Sequence, residues 1–139
     1  ELTESVFIDP REEVDRALRQ LRDAGVALAL DDFGSGYSSL GHLRRYPIDG
    51  LKLDNSYTQA LLTDPDTRII TEAMVTMATR LGLHLVAEGV ESLAELEVVG
   101  SLGIGAAQGY LISRPVPLEV VVERGLADLS ARLGQTRGA

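Results

Sequence analysis

Four short apolar runs in this chain each end abruptly in acidic or amide residues. The runs cover residues 26–30, 50–53, 84–87 and 104–107, and they are closed by Asp31 with Asp32, then Asp54, Glu88 and Gln108. Short runs of this kind, separated by helical patterns, are typical of parallel strands buried on both faces. The carboxyl ends of such strands meet at one rim of the sheet, where α/β proteins build their sites. With Lys52 inside the second run, the residue types predict a site for a metal and a phosphate at this rim.

Helix signals alternate with these runs. The signals for helix starts are Asp9 before Pro10, Asp64 before Pro65, Ser92 with Glu95 three residues later, and Pro117. The signals for helix ends are Gly25, Gly82 and Gly103. The second helix is predicted to turn inward the residues Ile69, Ile70, Ala73, Met77, Ala78 and Leu81. With a first strand near residues 2–5, the repeated strand–helix order predicts an α/β fold with a parallel sheet.

The polar residues at the strand ends indicate which type of α/β fold is present. Glu1, Asp31, Lys52, Glu88 and Gln108 are separated by 20 to 36 residues, which fits successive βα units. Polar residues at the end of every consecutive strand favour a TIM-type (β/α)8 barrel, whereas a doubly wound sheet concentrates them at one switch point. Such a barrel takes about 200 to 250 residues, and this chain has 139. We therefore expect residues 1–134 to hold roughly the last five βα units of a barrel, followed by a disordered tail at 135–139.

Composition excludes several classes of protein. The net charge of −8 argues against a surface that binds DNA or RNA polymers, but it is compatible with a small phosphate ligand held through a divalent cation. The chain has no cysteine, which excludes a disulfide and a Cys-ligated metal and is compatible with the cytoplasm. We see no secretory signal and no apolar stretch long enough to span a bilayer.

Five motifs together resemble the EAL-domain family. They are Glu1-Leu2-Thr3-Glu4-Ser5, the segment from Leu30 to Leu40 with Asp31-Asp32-Phe33-Gly34-Ser35-Gly36, Leu51-Lys52-Leu53-Asp54, Val86-Ala87-Glu88-Gly89-Val90-Glu91 and Gln108-Gly109-Tyr110-Leu111. The resemblance covers residues 1 to about 117. Asn55 and Tyr57 depart from it, standing where the family usually has Arg and Phe, and Gly100 lies in a helix that is normally rich in leucine. The Glu-Ala-Leu signature and a following Asn, both metal ligands in the family, would lie upstream of residue 1.

The resemblance implies a cyclic-di-GMP phosphodiesterase that releases linear pGpG with two Mg²⁺ or Mn²⁺ ions. It assigns metal ligation to Glu1, Asp31, Asp32 and Glu88, catalysis to Lys52 with Asp31 and Glu88, and substrate binding to Gln108 and Asp54. Glu91 is assigned to steadying the loop of Phe33, Gly34, Ser35 and Gly36, and the role of Glu4 is left open. The implied partners are cyclic di-GMP, a second copy of the chain or the missing part of the barrel, and upstream sensory domains. The implied location is the cytoplasm, as a free protein or as the cytoplasmic domain of a membrane-anchored one.

The chemistry of phosphodiester hydrolysis calls for such a set of residues. Two divalent ions about 4 Å apart neutralise the phosphate charge, lower the pKa of a bridging water and hold the attacking and leaving oxygens in line. Hard cations prefer carboxylate oxygens, and Mg²⁺ keeps several waters, so that few protein ligands are needed. Asp31 and Asp32 are consecutive at a strand end and point in different directions, so each can reach a different ion. Lys52 can orient the nucleophile or stabilise charge in the transition state.

Other interpretations remain open for each residue alone. Asp31 with Asp32 can end a strand or cap a helix, and Lys52 can be an ordinary solvated or ion-paired lysine. Glu88 with Glu91 can cap the following helix. His84 is predicted to be structural. For the whole chain, the alternatives are a regulatory module that binds cyclic di-GMP without turnover and an enolase-type barrel with Mg²⁺ and a lysine base. The downstream rim carboxylates are all retained, which favours the phosphodiesterase. We expect the chain alone to be an inactive or weakly active fragment.

Overall fold

A five-stranded parallel sheet forms the centre of the molecule. The computed structural model describes residues 1–3, 12–35, 43 and 46–122. The strands are β1 (Leu2–Thr3), β2 (Ala29–Phe33), β3 (Gly50–Leu53), β4 (His84–Ala87) and β5 (Ala106–Ala107). They lie in the order β1-β2-β3-β4-β5, and every neighbouring pair is parallel. The predicted α/β fold with a parallel sheet is confirmed, and its strand order is that of consecutive units of a (β/α) barrel.

Helices connect the strands. They are α1 (Glu12–Asp23), α2 (Asn55–Ala60), α3 (Pro65–Leu81) and α4 (Leu93–Ser101), and residues 118–122 are also helical. The predicted boundaries of α3 are confirmed, because Asp64 caps its start by accepting from the Asp66 N–H and Gly82 ends it at φ 71°. The predicted capping box of α4 is present. The short α2 was not predicted.

The structure corrects the position of β2. The strand begins at Ala29, three residues after the start of the apolar run at Val26, and it ends at Phe33. Asp31 and Asp32 therefore lie inside the strand, whereas the sequence placed them after it. The register with β3 shifts between Leu30 and Phe33, and Asp32 has a φ of 55°. In a regular strand the side chains of Asp31 and Asp32 would point to opposite faces, and this irregularity lets one oxygen of each lie within 4.8 Å of the other.

The structure also corrects the inward face of α3. Ile69, Ile70 and Leu81 were predicted to face the core, but they are 65%, 46% and 48% exposed. Ala73, which was also predicted to face the core, is exposed as well. The buried residues are Thr71, which was not predicted, and Ala78, which was; both are small and let the helix backbone lie close to β4. The Thr71 hydroxyl donates to the Thr67 carbonyl at 2.8 Å, so burying it leaves no donor unsatisfied.

The core fills the space between sheet and helices. Its fully buried apolar side chains include Leu30, Leu51, Leu53, Val90 and Val99. All four residues of β3 are buried, because β3 is the central strand and is covered on both faces. Among the described residues, no helix is both long enough and apolar enough to cross a membrane.

Some predictions fall on other parts of the chain. Glu4, Asp9, Pro10, Gly36 and the tail at 135–139 lie outside the described residues, as do residues 4–5 of the predicted first strand. The domain boundary at 134 lies outside them as well, and it stays a prediction.

Candidate functional site

The carboxyl rim of the sheet gathers carboxylates around one buried lysine. Lys52 is only 6% exposed. Its Nζ lies 2.6 Å from Glu88 Oε1, 2.8 Å from Asp31 Oδ1 and 3.1 Å from Glu1 Oε1. The predicted clustering of these side chains is confirmed. Their chemical roles remain predictions.

The strand register produces this cluster. Lys52 lies on the central strand, with Asp31 on β2 to one side and Glu88 just beyond the end of β4 on the other. Glu1 precedes β1, which pairs with β2 so that Thr3 lies opposite Asp31. Adjacent strands are about 4.8 Å apart, so the four side chains reach one point without long loops.

Three of the carboxylates have the geometry of a cation site. One oxygen each from Asp31, Asp32 and Glu88 lies within 4.8 Å of the others. The buried Oδ1 of Asp31 accepts no well-aligned hydrogen bond within the described residues, although the Lys52 ammonium is close. Among the described residues, the carboxylates of Glu1, Asp31 and Glu88 pair with the Lys52 ammonium, and that of Asp32 lies beside those of Asp31 and Glu88, so this group of side chains keeps an excess of negative charge. Hard oxygen donors with uncompensated charge fit Mg²⁺ or Mn²⁺.

The surroundings of Lys52 keep it charged. Burial alone would lower the pKa of Lys52, but ion pairs with Asp31, Glu88 and Glu1 outweigh that effect and raise the pKa well above its ordinary value. The lysine is therefore an ammonium at neutral pH. In that form it can donate hydrogen bonds and stabilise negative charge, but it cannot act as a base.

A cavity of about 520 Å³ opens beside Glu88. Its walls include Gln59, Gln108, Tyr110 and Arg114. The Gln108 Nε2 donates to Glu88 Oε1 at 2.6 Å, and the Arg114 guanidinium lies 4.3 Å from the centroid of the Tyr110 ring. The cavity thus joins the acidic rim to a cationic and aromatic wall, a combination suited to a phosphate that carries a ring.

The remaining predicted site residues, which include Asp54, Glu91, Phe33 and Gly34, differ in burial and in hydrogen bonding. Asp54 caps α2, and its Oδ1 accepts from the backbone N–H of Ser56 at 2.9 Å and also from the Ser56 hydroxyl. Phe33 is buried, and Gly34 has a φ of 98°. Glu91 is exposed, and Gly36 of the loop assigned to it lies outside the described residues, so its role stays a prediction.

His84 lies away from this site. It is exposed at the start of β4, at the opposite end of the strand from Glu88. The His84 side chain therefore does not belong to the group of residues at the rim, and its structural role stays a prediction.

Sequence reasoning missed the residues that support the rim loops. The Tyr57 hydroxyl donates to the Gly34 carbonyl at 3.1 Å, and the Cβ of Asn55 lies against Gly89. It also missed Tyr110 and Arg114 on the cavity wall. The only signal for the first pair was that Asn55 and Tyr57 depart from the usual residues of the resembled family.

Comparison with known proteins gives a consistent result. The family model described as EAL domain matches residues 1–115. The cyclic di-GMP phosphodiesterase NbdA of Pseudomonas aeruginosa is 41% identical over 123 residues, which are 88% of this chain and 16% of NbdA. The crystal structure of the EAL domain of Mycobacterium smegmatis DcpA is 39% identical with a TM-score of 0.81, covering 91% of this chain and 56% of that one.

A metal-containing structure also matches. Klebsiella pneumoniae BlrP1, in a complex with manganese and cyclic di-GMP, is 39% identical with a TM-score of 0.75, and the match covers 81% of this chain and 29% of BlrP1. The chain therefore spans a small part of the curated relative, about half of an isolated solved domain, and less than a third of the larger BlrP1 chain.

Proposed function

This chain belongs to the EAL domain family, and we propose that the complete domain of which it forms a part hydrolyses cyclic di-GMP to linear pGpG. The observation that carries the proposal is the buried Lys52 ammonium within 3.1 Å of three carboxylates at the rim of the sheet. The name of NbdA, a cyclic di-GMP phosphodiesterase, supports the same substrate. The family match leaves the enolase-type alternative without support.

We assign a divalent metal to the carboxylate group. Asp31, Asp32 and Glu88 would hold it, and Glu1 would add a further carboxylate ligand. Mg²⁺ or Mn²⁺ supplies charge neutralisation on the phosphate and a more acidic water. The manganese in the BlrP1 complex and the close grouping of oxygens from Asp31, Asp32 and Glu88 support this assignment.

The residues of the chain itself have separate tasks in this proposal. Lys52, as an ammonium, donates hydrogen bonds to the attacking water and stabilises the charge that develops on the phosphate. Glu88 accepts from Gln108, which fixes the orientation of its carboxylate. A carboxylate fixed in this way would need little reorganisation to hold the cation.

We place the substrate in the cavity beside Glu88. Of the two predicted substrate-binding residues, Gln108 lines this cavity, and Arg114 and Tyr110 add a cation and a ring to its wall. Asp54 is not among the described residues that line the cavity, and its role stays a prediction. A guanidinium can pair with a phosphate or with the acceptor edge of guanine, and a tyrosine ring can stack on a base. The cavity then positions one nucleotide while the rim acts on the phosphodiester bond.

A direct assay tests this function. The complete domain is incubated with cyclic di-GMP and Mn²⁺, and pGpG is separated by chromatography. We expect pGpG with the wild type, none with Glu88→Gln, and wild-type rates with Glu72→Gln, which changes an exposed carboxylate of the surface pair with Arg68. The absence of pGpG with both Mg²⁺ and Mn²⁺ would refute the proposal.

The alternative is a module that binds cyclic di-GMP without turnover. The cavity favours binding, since Gln108, Tyr110 and Arg114 all belong to this chain, whereas hydrolysis also needs the cation site to be complete. Titration calorimetry that shows binding of cyclic di-GMP, together with no pGpG in the assay, would establish this alternative.

We further propose that the 139-residue chain alone hydrolyses cyclic di-GMP slowly or not at all. The match covers only 56% of the solved DcpA domain, and the Glu1 side chain is 59% exposed, so that its position is weakly fixed. The proposed partners are cyclic di-GMP, a second copy of the chain or the rest of the barrel, and upstream sensory domains, all in the cytoplasm. Production of pGpG by the purified chain at the rate of the complete domain would contradict this proposal.

A further inference from the structure

The first turn of α2 lies between two loops of the rim. Tyr57 is on this turn, and its hydroxyl donates to the Gly34 carbonyl at 3.1 Å. A Cβ built on Gly34 would stand 2.7 Å from Cε2 of Tyr57, so the ring lies directly on the backbone there. The loop that follows Asp32 therefore packs against the Tyr57 ring.

The second loop makes a similar contact with the same turn. Gly89 follows Glu88 and has a φ of 66°. A Cβ built on Gly89 would stand 2.6 Å from the Cβ of Asn55. Side chains on one helical turn thus contact the backbone beside two of the predicted metal ligands, Asp32 and Glu88.

Asp32 needs such support because of its own backbone. Its φ of 55° is in the left-handed region, which L-residues other than Asn and Asp rarely adopt and which costs free energy even for them. A conformation of this kind persists only where the surrounding structure holds it. If Asp32 relaxed to a negative φ, its carboxylate would leave the group formed with Asp31 and Glu88.

Among the described residues, the hydrogen bonds that hold the segment from Asp32 to Ser35 include three outside the regular pairing of the strands. The Ser35 N–H donates to the Asp32 carbonyl at 3.1 Å, and the Asp54 N–H donates to the Phe33 carbonyl at 3.3 Å. The third is the bond from the Tyr57 hydroxyl to Gly34. It is the only one of the three made by a side chain, so it alone can be removed without changing the backbone.

We propose that Tyr57 is a positioning residue for the metal ligand Asp32. Its hydroxyl holds the loop so that the Asp32 carboxylate stays beside those of Asp31 and Glu88, within the 4.8 Å that the three oxygens span. Tyr57 is not one of the proposed metal ligands and is not among the described residues that line the cavity, so it acts through the loop. This inference rests on the metal-dependent function proposed above.

Binding of Mn²⁺ to the complete domain tests the inference without an activity assay. Free Mn²⁺ is measured by electron paramagnetic resonance in wild type, Tyr57→Phe and Tyr46→Phe. We expect Tyr57→Phe to raise the Kd about fivefold, or about 1 kcal/mol at 1.4 kcal/mol per tenfold change. Tyr46→Phe is the matched control, since Tyr46 is a buried tyrosine that precedes β3 at the amino end of the sheet, and its Kd should equal that of the wild type.

A double-mutant cycle separates positioning from general loosening of the fold. In an Asp32→Asn background, Tyr57→Phe should cause no further change in the Kd for Mn²⁺, because the ligand that Tyr57 positions is already impaired. A further fivefold loss in that background would overturn the inference. It would also be overturned by a Kd for Tyr57→Phe within twofold of the wild type, or by a wild-type domain that binds no Mn²⁺.

The activity assay distinguishes the failure of this inference from that of the proposed function. If the wild type binds Mn²⁺ and Tyr57→Phe weakens it, but no pGpG is made, then Tyr57 positions Asp32 in a domain that is not a phosphodiesterase. If pGpG is made and the Kd is unchanged in Tyr57→Phe, the function stands and the role of Tyr57 does not.

Discussion

Replacing Lys52 with methionine removes the ammonium from the rim and keeps the length of the side chain. The Lys52 side chain is 8% exposed, and its partners Glu88 and Asp31 are 15% and 24% exposed. Removing one partner of a buried ion pair costs about 3 to 5 kcal/mol, because the other charge is left uncompensated. Glu1 is 59% exposed, and such a pair contributes less than about 1 kcal/mol. Since the carboxylates keep some contact with water, we expect Lys52→Met to lose about 3 kcal/mol of unfolding free energy.

The assay is urea unfolding of the complete domain at pH 7, followed by circular dichroism in EDTA and in saturating Mn²⁺. The deficit of Lys52→Met should appear in EDTA and shrink in Mn²⁺, since the divalent cation neutralises the same carboxylates. Lys52→Met should produce no pGpG even where Mn²⁺ restores its stability. Arg68→Met is the matched control, because it breaks an exposed pair with Glu72 at 47% and 53% exposure, and it should change the free energy by less than about 0.5 kcal/mol.

The pH dependence of this deficit has a defined sign. The pKa of Lys52 is raised in the folded protein, so its contribution is fully present below the unfolded value of about 10.4 and is lost only as the pH rises beyond it. The difference between wild type and Lys52→Met should therefore be constant from neutral pH to about 9. Equal unfolding free energies of the two proteins in EDTA would refute the reasoning, as would identical stabilisation of both by Mn²⁺.

Three further predictions concern the same rim. Asp31→Ala and Glu88→Ala should each abolish pGpG production and leave the circular dichroism spectrum unchanged, because each removes a proposed metal ligand but no core side chain; unchanged kinetics in either would rule out the mechanism. Gly89→Ala should lose about 2 to 3 kcal/mol in urea unfolding, since the added Cβ meets α2 and the φ is positive; Gly25→Ala, at φ 82° with nothing within 4 Å, should lose only about 1 kcal/mol, and equal losses would contradict the contact. Burial alone would raise the pKa of Glu95, but backbone hydrogen bonds lower it, so its stabilisation should be present at neutral pH and be lost as the pH falls below about 4; a Glu95→Gln variant with the same acid dependence as wild type would disprove this.

The sequence predicted the elements best where local signals and packing agree. The strands β3 and β4 have the predicted bounds, since each is a short apolar run with a polar residue at its end. The strand β2 begins three residues after its apolar run does and continues through Asp31 and Asp32. It can include these two carboxylates because its register with β3 is irregular and Asp32 has a positive φ. Hydropathy alone does not predict such a register, which depends on the neighbouring strand.

The face of α3 shows a second limit of sequence reasoning. Ala78 is buried as predicted, but Ile69 is 65% exposed and Thr71, which was not predicted to face inward, is buried. Close approach of a helix to a strand favours small residues, and a threonine hydroxyl can satisfy itself on the preceding turn. Hydrophobicity and helical period do not carry that information.

The candidate site was predicted through topology and resemblance together. Consecutive strands placed Asp31, Lys52 and Glu88 on one rim, and the structure brings their charged atoms within 2.8 Å of Lys52 Nζ. The supporting contacts of Asn55 and Tyr57 could not be predicted, because they depend on close backbone approaches at Gly34 and Gly89. Such approaches arise from the packing of α2 and leave no periodic signal in the sequence.

The order of the strands in the sheet is also their order of synthesis. Each new strand pairs with the one translated just before it, so the sheet can grow on the ribosome one unit at a time without waiting for a distant segment. In a chain that folds as it is synthesised, Lys52 could pair with Asp31 before β4 is made. The group of carboxylates would then be complete only once Glu88, which follows β4, had been added.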